Sequence, residues 1–490
     1  MEKETRPFVY DSRFAMRSFR WHFFFALLVG LALRLFFVLR YPADSGDTAI
    51  YEALAMNWLR HGAFGLVVSG QLTPVDMRMP GYPGFLAGLY ALTGLLGEAA
   101  RPLVMVVQAV VDLFACVLTA ILAAHLAPES QRSRASIAAL WLAATCPFLA
   151  NYATVPLTEV WAAFFTVAAL CALVPGLILA RRWHDGEAAS PGTLRWALGG
   201  LLIGLGTLFR PETLLLVVVA AAMLLLYWRA GMLQVLGRVA LLAAAFLLPL
   251  APWAVRNWKT FHEVQVLAPR YSELPGELVP YGFMSWEKTW MVRLRDAYLV
   301  SWKLDGEPIL IQDVSPAAFD SPQERARVAA LLDRYNRTLT LTKEEDHGFA
   351  TIARERTARH PLRTYLRVPL TRAATLWFTP RIELLPFSGD VFPLAQKWSE
   401  DRTDQIVSAG LFLLNAFYVA LALFGMWRLW RTGVAHRVRI GAALALIVLY
   451  ILLRTALLTT LETVEPRYTV VCIPMLLALG AQAWTARSRG

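Results

Sequence analysis

The sequence predicts an all-α polytopic membrane protein with about ten transmembrane helices and one extracytoplasmic domain, α or α+β in class. Three observations carry that class. Of 490 residues, 57% are hydrophobic and only 17% charged, and the mean hydropathy is +0.47; an average soluble domain is about a quarter charged. The apolar residues form unbroken runs such as LLLVVVAAAMLLLYW at 214–228, which no aqueous surface tolerates. The net charge of +11 sits in short segments between those runs and not on one soluble patch. It therefore argues against a nucleic-acid partner and reports instead the side on which each loop lies.

The elements follow in order. Residues 1–20 are polar, with Lys3, Arg6, Arg13, Arg17 and Arg20, and lead into the run 21–39. A cleaved signal peptide has an apolar core of roughly half that length. This run carries Arg34 and no small-residue cleavage site follows it, so it reads as an uncleaved first helix with a cytosolic N-terminus. Further runs fall at 81–97, 102–126, 135–150, 158–179, 194–209, 212–228, 238–255, 405–427, 440–459 and 468–485. The first of these is short and opened by Pro80 and Pro83. Left on the outer side as a shallow helix, it places Arg132/Arg134, Arg181/Arg182/Arg195, Arg229/Arg238, Arg428/Arg431/Arg437/Arg439 and Arg487/Arg489 together in the cytosol with both termini. Those segments hold 18 basic and six acidic residues, a local +12.

The same parity puts the loop 41–101, the turns 150–158 and 210–212, the segment 256–403 and the turn 460–467 outside. Three regions result: an N-terminal membrane module (1–255), an extracytoplasmic domain (256–403) and C-terminal membrane helices (404–490). The outer domain, with 21 basic and 19 acidic residues and six Trp, has the composition of ordered structure. A soluble helix is expected at 324–335. A second, at 361–378, sets Leu362, Leu366, Leu370 and Trp377 on one face and Arg363 and Arg367 on the other, as a helix lying on the outer membrane surface does. The four cysteines all lie in apolar runs, which gives no disulfide framework and no Cys-based metal site. His61, His262, His347 and His360 show no ligand spacing. Asn336-Arg337-Thr338 is a formal glycosylation sequon, read as chance in a bacterial protein.

Polar chemistry concentrates at the outer ends of the runs. The first loop reads Asp44-Ser45-Gly46-Asp47-Thr48, and Asp47 starts an apparent helix to Arg60, where the plain alternative is an N-cap. Arg78-Met79-Pro80-Gly81-Tyr82-Pro83, Leu157-Thr158-Glu159, Arg210-Pro211 and Glu465-Pro466-Arg467-Tyr468 share that side. Acids and Arg residues converging there suit a site that holds a phosphate and removes a proton. The bland reading of Arg210 and Arg467 is snorkelling into headgroups; Glu465 pairs with Arg467 and Glu462 is solvated in that reading. Asp112 and Arg454 sit at membrane depth, where an ionisable group is either functional or partnered inside the bundle.

In this order the motifs resemble the GT-C glycosyltransferases. The D-x-x-x-Y helix (Asp47, Tyr51) with Asn57 and Gly62, the RxPGYP block, the LTE, the RP, the PWxxRN at Pro252 to Asn257 and the terminal RY lie in register over about 1–260 and 440–490. The branch with lipid A aminoarabinose transferases and protein O-mannosyltransferases is the most similar, whereas 256–403 matches nothing named and has no β-trefoil. The resemblance implies sugar transfer from a polyprenyl-phosphate donor to a lipid, glycan or protein acceptor on the periplasmic face of a bacterial inner membrane, with inversion. Asp47 is then the general base, Glu159 and Asp44 the further catalytic carboxylates, and Asp44 departs from the simplest family pattern. Arg78, Tyr82, Arg210, Arg467 and Tyr468 are the donor-binding residues. Family members differ in their use of a divalent cation, and the carboxylates leave that open. The rival readings are a polyprenyl-lipid or solute transporter and an O-antigen-type polymerase or ligase. Transporters show paired repeats and broken midplane helices, whereas the polar motifs here gather at one face.

Overall fold

The computed structural model describes residues 12–184, 192–227, 231–271 and 277–485. Lys3, Arg6, Arg229, Arg487 and Arg489 of the charge argument lie outside the described residues, as do the side chains of Arg13, Arg17, Arg181 and Arg182. The N-terminal module comprises α1 (Ser12–Arg40), α2 (Gly46–His61), a hairpin of β1 (Gly65–Val68) and β2 (Gln71–Pro74), α3 (Gly81–Thr93), α4 (Arg101–Leu126), α5 (Arg132–Ala144), α6 (Pro147–Ala150), α7 (Glu159–His184), α8 (Thr193–Phe209), α9 (Leu215–Tyr227), α10 (Met232–Leu247) and α11 (Ala251–Phe261). The antiparallel hairpin pairs Gly65 with Pro74 and Val68 with Gln71.

Among the described residues six helices are long and apolar enough to cross a membrane, the first beginning at Phe19 and the last ending at Thr459. Residues Glu129–Ala144 and Pro147–Thr154 make a seventh if their 51° bend is one broken span. The bend has a local cause: Cys146 is extended ahead of Pro147, as a residue before proline prefers. The chain is thus an integral membrane protein, but the count falls short of the expected ten. The balance lies in two shorter apolar helices, Thr193–Phe209 and Pro211–Leu226, and in 468–485, which is not one helix. Pro466–Cys472 is 3-10, α20 (Ile473–Gly480) is α-helical and Ala481–Trp484 is 3-10 again, almost all of it buried.

Small residues set the helix spacing. A Cβ on Gly200 would lie 2.3 Å from the Leu242 carbonyl oxygen, and one on Gly204 the same distance from that of Phe246, so α8 and α10 touch backbone to backbone. Inside the bundle Arg34 meets Asp112 at 2.6 Å, both side chains being essentially unexposed. Arg34 also donates to the carbonyls of Gly30 (2.9 Å) and Ala144 (2.8 Å). Asp112 is therefore a partnered core residue joining α1, α4 and α5.

The outer region contains α12 (Tyr281–Glu287), α13 (Leu294–Leu299), α14 (Pro322–Thr338), α15 (Lys343–Arg359), α16 (Val368–Trp377) and α17 (Leu394–Glu400), and no strand among its described residues. The α alternative holds, and the soluble helix predicted at 324–335 is α14. Its core is a second apolar cluster around Phe283, Trp286, Trp290, Tyr335 and Phe349. The helix expected at 361–378 is present with three changes. A π-turn at Arg363–Arg367 precedes α16, and Leu362, Leu366 and Leu370 are exposed as expected. Trp377 instead turns inward, its indole donating to Thr455 Oγ1 at 3.0 Å, and Arg363 binds Asp320 at 2.5 Å. Buried Arg372 ties this region to the membrane helices, donating to the carbonyls of Met291 (2.7 Å) and Leu461 (2.5 Å). The chain ends in α18 (Arg402–Trp430), α19 (Val434–Thr459) and α20.

Candidate active site at the outer rim

The rim of the bundle is built from four chain segments. In the first, Ser45 and not Asp47 is the N-cap of α2: the Ser45 N–H donates to Thr48 Oγ1 at 3.2 Å. Asp47 is thereby left in the first turn with its carboxylate free to point away from the helix end. The loop that follows is tied down by residues of the sequence motifs. Asn57 Nδ2 donates to the Gly65 carbonyl at 2.9 Å, and Gly62 closes α2 at φ 65°, a conformation suited to glycine. Arg256 holds the loop from below through the carbonyls of Phe64 (2.7 Å) and Val75 (2.9 Å). The RxPGYP block then docks on the end of α8, because a Cβ at Gly81 would lie 2.5 Å from the Leu208 carbonyl oxygen. Arg78 and Arg210 line the same cavity. Arg210 is extended ahead of Pro211, again the conformation that proline imposes on its predecessor.

Asp47 lies between two guanidinium groups, with Arg78 Nη2 on Oδ1 at 2.7 Å and Arg467 Nη2 on Oδ2 at 3.3 Å. Burial alone would raise its carboxyl, but Arg78 and Arg467 together hold it below the ordinary aspartate value. Opposite, Arg210 Nη1 donates to Glu159 Oε1 at 2.6 Å, while buried Glu159 Oε2 has no protein partner. The Tyr468 ring lies between Arg210 and Arg467, their guanidinium carbons 4.6 and 5.0 Å from its centroid. Its hydroxyl donates to Glu465 Oε1 at 3.0 Å and accepts from Arg467. Arg454 donates twice to the Tyr468 carbonyl at 3.1 Å, so this membrane-depth cation positions the turn. Asp47, Arg78, Glu159, Arg210, Arg467 and Tyr468 all line one cavity of about 470 Å³.

Two of the expected residues stand elsewhere. Asp44 is mostly exposed and faces Arg101 at 3.4 Å; Arg101 is already held by Glu52 at 2.7 Å, outside the cavity lining. Tyr82 is fully buried and donates to Gln108 Oε1 at 2.8 Å, supporting Tyr51 ring against ring at 5.1 Å. The cavity also contains Arg270, which the sequence did not single out, and Glu462, which it read as solvated. Arg270 enters from the outer region and meets Glu462 at 3.0 Å; Lys288 (2.6 Å) and the Tyr271 hydroxyl share that carboxylate. Glu462 is thus paired, not solvated, and no local pattern announces it because its partners lie in loops distant in sequence. Glu465 does pair with Arg467, at 2.5 Å. No group of three His, Cys, Asp or Glu side chains suited to a metal gathers among the described residues, and both Asp47 oxygens are taken by arginines.

One rim of the helical membrane bundle thus gathers paired carboxylates and arginines, and the bundle has the GT-C type of fold found in the solved structure it resembles. Against solved structures, the chain is similar to the archaeal oligosaccharyltransferase AglB from Archaeoglobus fulgidus, in complex with an inhibitory peptide and a dolichol-phosphate. The two are 13% identical with a TM-score of 0.51, covering 96% of this chain and 50% of that one. This chain therefore spans about half the length of AglB, and the likeness establishes the fold. A second AglB structure, tethered with an acceptor peptide, aligns at 14% identity and a TM-score of 0.48 over 94% of this chain and 49% of that one. ArnT from Cupriavidus metallidurans aligns at 14% identity and a TM-score of 0.35, covering 94% and 77%. No sequence-family model and no curated protein matches the chain.

Proposed function

We propose that the chain is a membrane glycosyltransferase that moves a sugar from a polyprenyl-phosphate donor to an acceptor on the outer face, with inversion. The observation that carries this reading is Asp47 held between Arg78 and Arg467 in the rim cavity. A phosphate entering the cavity competes with Asp47 for those two guanidinium groups, and Arg210 and Arg270 supply further positive charge. Losing its partners to the phosphate raises the basicity of Asp47 when a base is needed. The acceptor oxygen then attacks the anomeric carbon, and the carbon–oxygen bond to phosphate breaks. The phosphate leaves with the electron pair, and the acceptor proton passes to Asp47. Arginine–phosphate contacts in such a partly dry site stabilise the leaving group's developing charge.

The donor's lipid has an adjoining place. A second cavity of about 510 Å³ is lined by Trp58, Phe64, Pro80, Leu208 and Trp253, and Pro80 and Leu208 are the chain neighbours of Met79 and Phe209, which line the rim cavity. The AglB structure contains a dolichol-phosphate, the same chemical class of lipid. Mass spectrometry of lipid copurified with the full chain tests the reading. Retained polyprenyl phosphate that is lost in Arg78→Ala/Arg467→Ala supports it, and a chain that retains none overturns it. For the side of the membrane, Glu98→Cys in intact cells should react only with an impermeant thiol reagent added outside; protection there would move the site to the cytosol.

A further inference from the structure

The end of α18 and the start of α19 meet on the side of the bundle away from the rim. The 26 residues of α19, Val434–Thr459, put this joint about 39 Å from Thr459, which lies beside the rim. No acidic residue occurs between Asp404 and Glu462, whereas Arg428, Arg431, Arg437 and Arg439 crowd the joint. Two of these cations face rings in place of carboxylates. The Arg431 guanidinium carbon lies 4.7 Å from the Trp427 ring centroid, and that of Arg437 lies 5.7 Å from the Trp430 centroid. Neither has a carboxylate partner among the described residues. Arg437 Nη1 also donates to the Trp430 carbonyl at 3.2 Å, closing the last turn of α18 with one donor of a group that carries several.

The rings belong to an exposed apolar face. Phe424, Trp427, Trp430, Val434 and Val438 are all exposed, and Phe424 stacks on Trp427 at 5.4 Å. The spanning stretch of α18 ends at Trp430 and that of α19 begins at His436, so the rings and cations sit where hydrocarbon meets head groups. Snorkelling alone carries a guanidinium outward into water; here both are held over indole rings, which fixes their depth. His436 Nε2 donates to the Leu126 carbonyl at 3.1 Å, tying the joint to the end of α4. Arg132 and Arg439 lie within electrostatic reach of His436 and add to the positive field. We propose that this joint binds an anionic phospholipid of the leaflet away from the rim. The aromatic contact uses the faces of the guanidinium groups and leaves N–H edges for phosphate oxygens. The acyl chains lie along Phe424, Trp427 and Val438. A head group with two phosphates suits the two cations best. This lipid is no substrate, and the assignment is independent of the transfer reading of the rim.

Native mass spectrometry and thermal unfolding of the purified full chain in detergent test it. Tetraoleoyl cardiolipin should bind and raise the melting temperature where dioleoyl phosphatidylcholine at the same concentration does not. Arg431→Gln/Arg437→Gln should weaken cardiolipin binding about tenfold or more. Trp427→Leu/Trp430→Leu, which keeps both charges, should weaken it about threefold to tenfold, and it carries the test if the glutamine variant does not fold. Arg20→Gln/Arg195→Gln removes two positive charges from other segments expected on the same side and should leave binding unchanged, as should Arg78→Ala/Arg467→Ala at the rim. Equal binding of the two lipids overturns the site, and so does full binding in the tryptophan variant. A loss in the Arg20/Arg195 variant as large as that in the Arg431/Arg437 variant would reduce the site to diffuse charge, and a loss in the rim variant would give the lipid to the rim cavity. Inorganic phosphate that stabilises as much as cardiolipin would make the joint a free-anion site and overturn the lipid.

Discussion

Two arginine–aspartate groups in this molecule show how one pairing serves two purposes. Arg34 and Asp112 meet at 2.6 Å in the interior, and neighbouring backbone carbonyls take up the remaining guanidinium donors. Arg78 and Asp47 meet at 2.7 Å at the rim, each about a quarter to a third exposed, and their second charges come from Arg467 across a cavity. The interior pair has no capacity left and is framework. The rim pair is partly exposed beside a cavity, and in the proposed reading it exchanges partners when a phosphate enters. Satisfaction of the surrounding polar atoms, more than the ion pair itself, separates structure from function.

That contrast can be broken from either side. The largest effect is expected from Asp47→Asn, which should lower transfer about 10²- to 10⁴-fold while leaving the melting temperature in detergent unchanged; full activity would remove the general base. Arg34→Met should do the reverse, costing about 3–5 kcal/mol of stability by stranding Asp112. Arg34→Met/Asp112→Leu should recover much of that loss, and thermal unfolding of both proteins reads it. Gly81→Ala should cost about 1–3 kcal/mol and lower donor retention, because the added methyl group meets the Leu208 carbonyl and displaces the block that carries Arg78; unchanged lipid retention would free the site from that contact.

The smallest effect concerns Glu287, which is buried and pushed up to about 8 by burial, against its Ser301 hydrogen bond and Arg372. Its folded value exceeds the ordinary glutamate value of 4.5, so the folded state binds more protons over that interval. Stability should therefore fall as pH rises from about 4.5 towards 8, by at most a few kcal/mol. Melting temperatures of the native chain and Glu287→Gln across that range check it, since the variant should lose this slope.

Much of this was legible because its causes are local. Unbroken apolar runs and interspersed arginines marked the bundle, and carboxylates at helix starts together with prolines near arginines marked the rim. Asp47, Arg78, Glu159, Arg210, Arg467 and Tyr468 meet as the motifs implied. Tyr82 was misplaced because its role depends on Gln108, a partner on the next helix that periodicity does not identify. Arg270 escaped notice and Glu462 was read as solvated for the same reason, the two being 192 residues apart. The segment 466–484 read as one span because its composition is apolar throughout, yet it is broken into three short helices. Apolar composition reports burial, and burial by other helices looks the same as burial by lipid.

The contact between Asp47 and Arg467 closes a separation of 420 residues. A ribosome making this chain has inserted nearly every helix before the second guanidinium partner of Asp47 exists. Long-range contacts of this kind form late, so the site is assembled by the last turn of the bundle to arrive. A chain interrupted shortly before residue 467 therefore lacks both that guanidinium and the buried segment 466–484 that completes the core of the bundle.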